Sequence, residues 1–410
     1  MKAALRGPLA VIFERIGPYH FARLRALGAA TPTTAIETTA LDQTYGWDLV
    51  AGAEHFERVT LFNATEAAAN ASAEIARRVH VALDRCRPAA VAVPGWSDPA
   101  ALGGLQWCAA RKVPAIMMAD STAWDHPRVA WKEWIKRRVL RFASAALVAG
   151  TPHAEYLTQL GMDPKRIFDG YDVVDNDYFT AGARQARNNA VELRKQHGLP
   201  ENYWLASARF VEKKNLPCLV AAYAKYRDQA GRTGDRAAVW KLVLLGDGPL
   251  RESLRRQCDD LGLAQDVVMP GFKQYAELPI YYGLARAFVL TSTTEQWGLV
   301  VNEAMASALP AIVSNRCGCA RDLVKEGQTG AQFDPQQPDK LAEILLRYAS
   351  QPDALAAMGR AAETLIAEWN LDRFVNGLRR AAAVAVEGPA PSVTLGDGWL
   401  LRLLLRKGAA

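Results

Sequence analysis

Residues 292–314 read STTEQWGLVVNEAMASALPAIVS. The apolar run AFVLTS that leads into them reads as a strand ending near Thr291. The loop after it holds Glu295 and Gly298, and helix-favouring residues begin close to Val300. A strand that passes through a glycine-bearing loop into a helix gathers backbone N–H groups and the positive end of the helix dipole at one place. That place suits an anion such as a diphosphate. Glu295 and Glu303 flank the turn with seven residues between them. Either glutamate alone is equally well a solvated residue of an amphipathic helix.

Outward from this stretch the same rhythm repeats. Upstream lie YWLASARF near Leu205, WKLVLLGDG and DVVMPGF, and downstream lies AIVSN, each apolar run followed by a helical or turn-rich segment. The first half of the chain alternates likewise through LAVIF, AAVAVP, VPAIMMA and SAALVAG, with helix-compatible segments at 65–86 and 100–112. Short, continuously apolar runs separated by helices are the signature of parallel strands covered on both faces. The expected fold is therefore α/β, two doubly wound Rossmann-like domains facing a central cleft.

The turn-rich passage FDGYDVVDNDYF, 168–179, with the polar stretch to Asn189, marks the boundary. The first domain is expected over 1–175, with helices from about 370 free to pack back on it, and the second over 190–370. A helical pattern from Asp339 to about Glu387 has Trp369 and Phe374 as apolar anchors. It is followed by a short apolar and basic tail, 388–410, which reads equally as an amphipathic membrane contact or a packed terminal helix.

Composition narrows the function. At 410 residues the chain is too long for one ordinary core, and with 50% hydrophobic and 22% charged residues it has the make-up of a globular enzyme. The net charge of +6 suits phosphate-bearing partners, but there is no zinc-finger spacing or RNP-type aromatic signature, so nucleic acid is not an expected partner. Six scattered cysteines read as reduced thiols, Cys317 and Cys319 included. The N-terminal MKAALRGPLAVIFERIG is too short in its apolar run for a signal peptide, and no stretch of some eighteen apolar residues occurs. The expected location is cytoplasmic, with peripheral attachment to the inner membrane face left open. The segment AWDHPRVAWKEWIKRRVLRF mixes Trp124, Trp131 and Trp134 with Lys and Arg, and serves equally as a contact for an anionic membrane surface or as a helix with a buried aromatic face.

The 292–314 segment resembles the E-x(7)-E signature of family-4 retaining glycosyltransferases, of the GT-B fold. The resemblance implies that Glu295 binds hydroxyls of the donor sugar and Glu303 the ribose. Gly298, Leu299 and Val300 would then present their amides to the diphosphate. Arg209 and Lys214, in SARFVEKKN, resemble the cations that clamp the donor phosphates, with Lys213 as an alternative to Lys214. Gly246 and Gly248 in LLGDGPL follow a strand and allow a sharp turn near the nucleotide. Gly271 and Phe272 in VVMPGF match the loop whose backbone meets the base, although an ordinary turn explains that pair equally well. The specific motifs span 203–333.

The first half departs from the pattern. Many relatives carry a Gly-Gly loop after the first strand and a His after a later one. Here the first loop is IGPYH, with Gly17, Tyr19 and His20, and the later strand leads into Asp120 and Ser121. Trp96 and Asp98 in PGWSDP complete the acceptor-side candidates. Ala308 stands where many relatives have Gly.

The resemblance implies transfer of a hexose from a UDP- or GDP-sugar to an acceptor hydroxyl with retention. The acceptor would be a lipid-linked or polysaccharide precursor, or a soluble sugar-containing one. No cofactor beyond the donor and no metal are expected, since Asp175 and Asp177 of the DxD lie in the inferred linker. A nucleotide-sugar epimerase, a phosphorylase or a degenerate transferase serving as a binding subunit are the competing readings.

Overall fold

Strands such as LAVIF and AIMMA have no polar face to show to water, so each must be covered above and below. In a computed structural model, which describes residues 7–40, 46–63, 72–232 and 239–407, they are. The chain divides into two units, Met1–Val174 with Asn370–Ala410 and Asp175–Trp369.

The first unit runs β1 (Leu9–Phe13), α1 (Pro18–Ala30), β2 (Thr33–Thr39), β3 (Glu57–Phe62), α2 (Ser72–Cys86), β4 (Ala90–Pro94), α3 (Pro99–Arg111), β5 (Ala115–Ala119), α4 (Ala130–Leu140), β6 (Ala143–Val148), α5 (Thr151–Gln159) and β7 (Ile167–Asp169). The second holds α6 (Asn176–Asn188), α7 (Ala190–His197), β8 (Tyr203–Ser207), α8 (Leu216–Arg232), β9 (Lys241–Leu245), α9 (Arg251–Asp260), β10 (Val267–Gly271), α10 (Leu278–Leu284), β11 (Ala287–Leu290), α11 (Leu299–Ala306), β12 (Ala311–Ser314), α12 (Ala320–Leu323), β13 (Gly330–Phe333), α13 (Pro338–Ala349) and α14 (Pro352–Ile366). The chain then returns to the first unit as α15 (Leu371–Glu387) and α16 (Leu395–Lys407).

Both sheets are parallel and share one winding. Their strand orders are β3-β2-β1-β4-β5-β6-β7 and β10-β9-β8-β11-β12-β13. In each sheet the direction of winding reverses next to the unit's first strand, between β1 and β4 and between β8 and β11. Loops leaving the C-terminal ends of such a strand pair diverge to opposite faces and leave an opening for ligand.

Alternate side chains of the first sheet feed two cores. Ala10, Ile12, Val91, Val93 and Met117 pack with Val79 and Leu83 of α2, Leu102 and Leu105 of α3, and Leu401 and Leu405 of α16. Leu9, Val11, Phe13, Ile116 and Met118 pack with Leu24 and Leu27 of α1 and with Phe374, Leu378 and Ala382 of α15. One face of the second sheet, with Trp204, Leu242, Val289 and Ile312, lies under α8, α9 and α13.

The structure alters the expected layout in two places, the passage 168–179 and the start of the second unit, and shows the tail to include a packed helix. The passage 168–179 is not all turn: β7 begins it, and α6 starts within it because Asp175 caps the helix by accepting from Tyr178 N at 3.1 Å. Phe179, Ala183 and Ala186 then recur on one buried side of α6, which packs on α10 of the second unit, so that unit begins at Asp175 rather than 190. The tail contains α16, whose Leu401 and Leu405 are buried in the first unit. Of the helix read over 65–86, residues 65–71 lie outside the described residues, as do 1–6 of the N-terminal reading and 408–410 of the tail.

Helix α15 lies flush on the first sheet because Gly377 has no side chain. A Cβ there would stand 2.3 Å from the Asp169 carbonyl oxygen and 2.8 Å from Leu147 Cδ1. Gly377→Ala is expected to destabilise the first unit by about 1–3 kcal/mol through overpacking, read as a lowered urea midpoint of unfolding.

Candidate functional site

The opening at β8 and β11 is framed by two loops, 208–215 after β8 and 291–298 after β11. Hydrogen bonds stitch them together. Thr291 Oγ1 donates to Lys214 O at 2.9 Å, and Thr293 N donates to Lys213 O at 2.9 Å. Across this seam Lys214 Nζ and the Glu295 carboxylate form a close ion pair, and Ser292 Oγ donates to Glu295 Oε2 at 3.2 Å. Both charged side chains keep only 12% of their surface exposed, so the pair is held in place rather than loose in solvent. Lys213, the alternative cation, is engaged here through its carbonyl oxygen, so Lys214 is the lysine that meets Glu295.

Behind Glu295 the chain is anchored to residues 316–319. Glu295 N donates to Arg316 O, Gly318 N to Glu295 O and Cys319 N to Trp297 O. Trp297 is buried, meets Trp369 with the rings tilted and their centroids 5.1 Å apart, and donates from Nε1 to Asn302 Oδ1 at 2.9 Å. Cys317 and Cys319 are buried in this packing as reduced thiols.

Gly298 closes the loop in left-handed conformation at φ +105 and is the N-cap of α11. No side chain of the described residues caps this terminus, and Leu299 and Val300 are partly exposed there. The dipole and open N–H groups of a helix start are an anion-binding feature. Glu303, one turn into α11, is fully buried beside Tyr282. Burial, and the nearby Glu303 charge, raise the Tyr282 hydroxyl well above its usual pKa.

Gly246 and Gly248 have a packing part in addition to the turn read in the sequence. With φ of +134 and +153 they lie against the loop that carries Arg209. A Cβ on Gly246 would stand 1.9 Å from Ala208 O, and one on Gly248 2.7 Å from Phe210 O. Phe210 N donates to Asp247 O at 2.8 Å and Leu250 N to Phe210 O at 3.0 Å. The GDG run thus serves as the bed on which the partly buried Arg209 is set. Gly271 ends β10 at φ +85, its carbonyl accepts from Gly246 N, and the next residue, Phe272, is exposed.

In the first unit Gly17 is the N-cap of α1, ahead of Pro18. His20 stacks on Phe13 with centroids 4.2 Å apart, and Tyr19 meets Trp47 edge-on at 5.1 Å. Burial, aided by the Arg23 and Arg15 charges and opposed by a hydrogen bond to the Arg15 backbone, lowers His20 to about 3. It is a neutral imidazole at physiological pH. Asp98 caps α3 by accepting from Ala101 N at 2.9 Å, and burial pushes its carboxyl up. Trp96 lies edge-on to Tyr156 at 6.1 Å, with Lys136 Nζ 5.5 Å from its ring centroid.

Asp120, at the end of β5, meets a cluster that the sequence reading missed. Arg23 is buried, pairs with Asp172 at 3.3 Å and donates from Nε to Val173 O at 2.9 Å. Burial and the neighbouring Asp172, with a smaller push from Asp125, raise Asp120 to about 7 against the pull of its own backbone amide and Arg23. The available signal was Arg23 itself: with His20 and Leu27 it falls on one side of α1, so a cation lies on a buried stripe. Ser121 follows Asp120 and is partly buried. The loop beyond is pinned by Arg128, which donates to Ala123 O and pairs with Asp125 and Glu133.

Two parallel-sheet Rossmann-like units with this winding make the GT-B glycosyltransferase fold. Solved structures of HepE from Anabaena in complex with UDP and of sucrose-phosphate synthase from Thermosynechococcus elongatus each align with a TM-score of 0.68. Each covers 91% of this chain and 98% of its own, at 16% and 18% identity. Residues 190–365 match the family described as glycosyl transferases group 1, and the match falls within the second unit. A GDP-mannose-dependent alpha-(1-6)-phosphatidylinositol monomannoside mannosyltransferase of Mycobacterium tuberculosis is 33% identical over 190 residues, 44% of this chain and 47% of its own. The chain spans about half the length of the curated relatives it matches.

The raised Asp120 fixes a sign. Its folded pKa lies above the ordinary 3.8, so its contribution to stability is full below that value and is lost as pH rises toward about 7. Asp120→Asn is expected to gain melting temperature relative to the unsubstituted protein progressively from pH 4 to 8, with the gain levelling off above pH 7. A constant difference across that range would contradict the buried-pair reading.

Proposed function

We propose that this chain is a retaining hexosyltransferase that takes its sugar from a UDP- or GDP-linked donor and needs no metal ion. The observation that carries the reading is the Lys214–Glu295 pair, set at the winding reversal of the second sheet beside the uncapped start of α11. A cation and a helix start gathered there suit the charged diphosphate of such a donor, and the carboxylate beside them suits the neutral sugar hydroxyls, which it can accept from.

In this reading the diphosphate lies against the amides of Gly298, Leu299 and Val300, with Arg209 and Lys214 on its oxygens. Binding replaces part of the Lys214–Glu295 pair, so Lys214 turns to phosphate and Glu295 to hydroxyls of the hexose. Glu303 receives the ribose hydroxyls, and Gly271 and Phe272 lie along the base. The anomeric C–O bond to phosphate breaks as the acceptor oxygen forms its bond on the same face, and the departing phosphate oxygen takes the acceptor's proton. Charge grows on the phosphate in that transition state, where Arg209 and Lys214 stabilise it.

Gly17, His20, Trp96, Asp120 and Ser121 are assigned to the acceptor side. His20 is neutral and fits hydroxyl binding rather than charge stabilisation. The mannosyltransferase of Mycobacterium tuberculosis is named for a lipid acceptor, a phosphatidylinositol monomannoside, and we assign a lipid-linked or polysaccharide-precursor acceptor here on that likeness.

A panel of nucleotides and nucleotide sugars is expected to raise the melting temperature with one diphosphate series, because ligand bound only by the folded chain stabilises it. Glu303→Ala is expected to weaken that ligand roughly ten- to hundred-fold, the worth of a charged hydrogen bond. Lys214→Ala is expected to lower turnover about 100- to 1,000-fold. Proton NMR of the product reports the anomeric configuration. An inverted product, or no stabilisation by any member of the panel, would overturn the proposal.

A further inference from the structure

Two helices of the first unit show water a face made of aromatic, aliphatic and cationic side chains alone. On α4, Trp131, Trp134, Arg137 and the C-cap Arg141 all fall within about 120° of arc at 3.6 residues per turn. On α16, Leu395, Trp399, Arg402 and Arg406 fall within about 60°. Trp131 is 58% exposed, Trp134 52%, Trp399 66% and Leu395 97%, and all four arginines are exposed. The opposite sides of these helices are spent on the core, through Val139 and Leu140 and through Leu401 and Leu405.

The acids of the two helices are turned away. Glu133 of α4 is engaged by Arg128 and Lys136. Asp397 of α16 is fully buried and paired with Arg138 and Arg141, which fixes the helices side by side. Next to them a recess of about 560 Å³ is lined by Arg137, Arg141 and Arg166, and its described lining includes no Asp or Glu.

Tryptophan and leucine interleaved with arginine on a helix surface match the boundary between headgroups and acyl chains of an anionic bilayer. A second copy of this chain would bring like charges together, so self-association is disfavoured. Among the described residues no helix is long and apolar enough to cross a membrane, so these helices would lie on it rather than span it. We propose that α4 and α16 together dock the first unit on an anionic lipid bilayer, with Trp131, Trp134, Trp399 and Leu395 at the acyl boundary and the three-arginine recess holding a headgroup phosphate. The inference goes beyond the sugar-transfer reading and does not depend on it.

The test is co-sedimentation of the full chain with vesicles of phosphatidylcholine alone and of equimolar phosphatidylglycerol and phosphatidylcholine. The protein is expected to pellet with the anionic vesicles and to stay in solution with the neutral ones. Arg402→Glu with Arg406→Glu leaves the Asp397 pairing untouched and is expected to weaken binding at least about thirty-fold. Arg402→Lys with Arg406→Lys is expected to bind as the unsubstituted protein does, and Trp134→Ala with Trp399→Ala to bind more weakly. Equal pelleting with both vesicle types, pelleting with neither, or full binding by the charge-reversed variant would overturn the proposal. Melting temperature and stabilisation by nucleotide sugars, read on the same samples, separate a loss of docking from unfolding and from failure of the donor site.

Discussion

Everything in the second unit follows from the need to bury a parallel sheet on both faces. Each crossover must lay its helix on one side or the other, and the winding reverses once, between β8 and β11. At that reversal two loops leave neighbouring strands for opposite faces, and nothing in the sheet itself fills the gap between them. The chain bridges it with charge and hydrogen bonds, Lys214 to Glu295 and Thr291 to the Lys214 carbonyl. A pair made where the backbone diverges can be exchanged for a ligand without disturbing the apolar layers beneath. The glycines around it answer the same constraint. Gly246 and Gly248 permit the backbone of the Arg209 loop to lie close to the loop after β9.

Much of this was legible in residue order. Continuous runs such as LAVIF and KLVLL declare strands buried on both faces, and the gap of seven between Glu295 and Glu303 spans one loop and the first turn of one helix. What sequence spacing cannot report is which loops meet. Asp98 and Asp120 both follow apolar strands, yet Asp98 is spent on a helix cap, while Asp120 lies within reach of the charge of Asp172, fifty-two positions away. Helix α6 escaped notice for a related reason. Its start is rich in Asp and Asn, which signals a turn until the cap at Asp175 is seen to begin a helix.

Ala308 shows a departure from the pattern that the sequence resembles becoming intelligible only in three dimensions. Its φ is +57, in the region where a side chain is strained and glycine is at ease. The carbonyl oxygen of Ala308 also receives α14 at Gly359, where a Cβ would stand 2.2 Å away. The strain at one position is thus tolerated beside a glycine at the other, and the α11–α14 contact stays close.

The return of α15 and α16 to the first unit has a consequence for synthesis on the ribosome. The second unit is one unbroken segment, whereas the first sheet has one apolar face only partly covered, by α1, until Phe374, Leu378 and Ala382 of α15 emerge. At about 5–20 residues per second that wait lasts roughly 10 to 40 seconds after β7 is made. The half of the chain that is translated first is therefore the half that is completed last, and for that interval its exposed strands are a natural client for a chaperone.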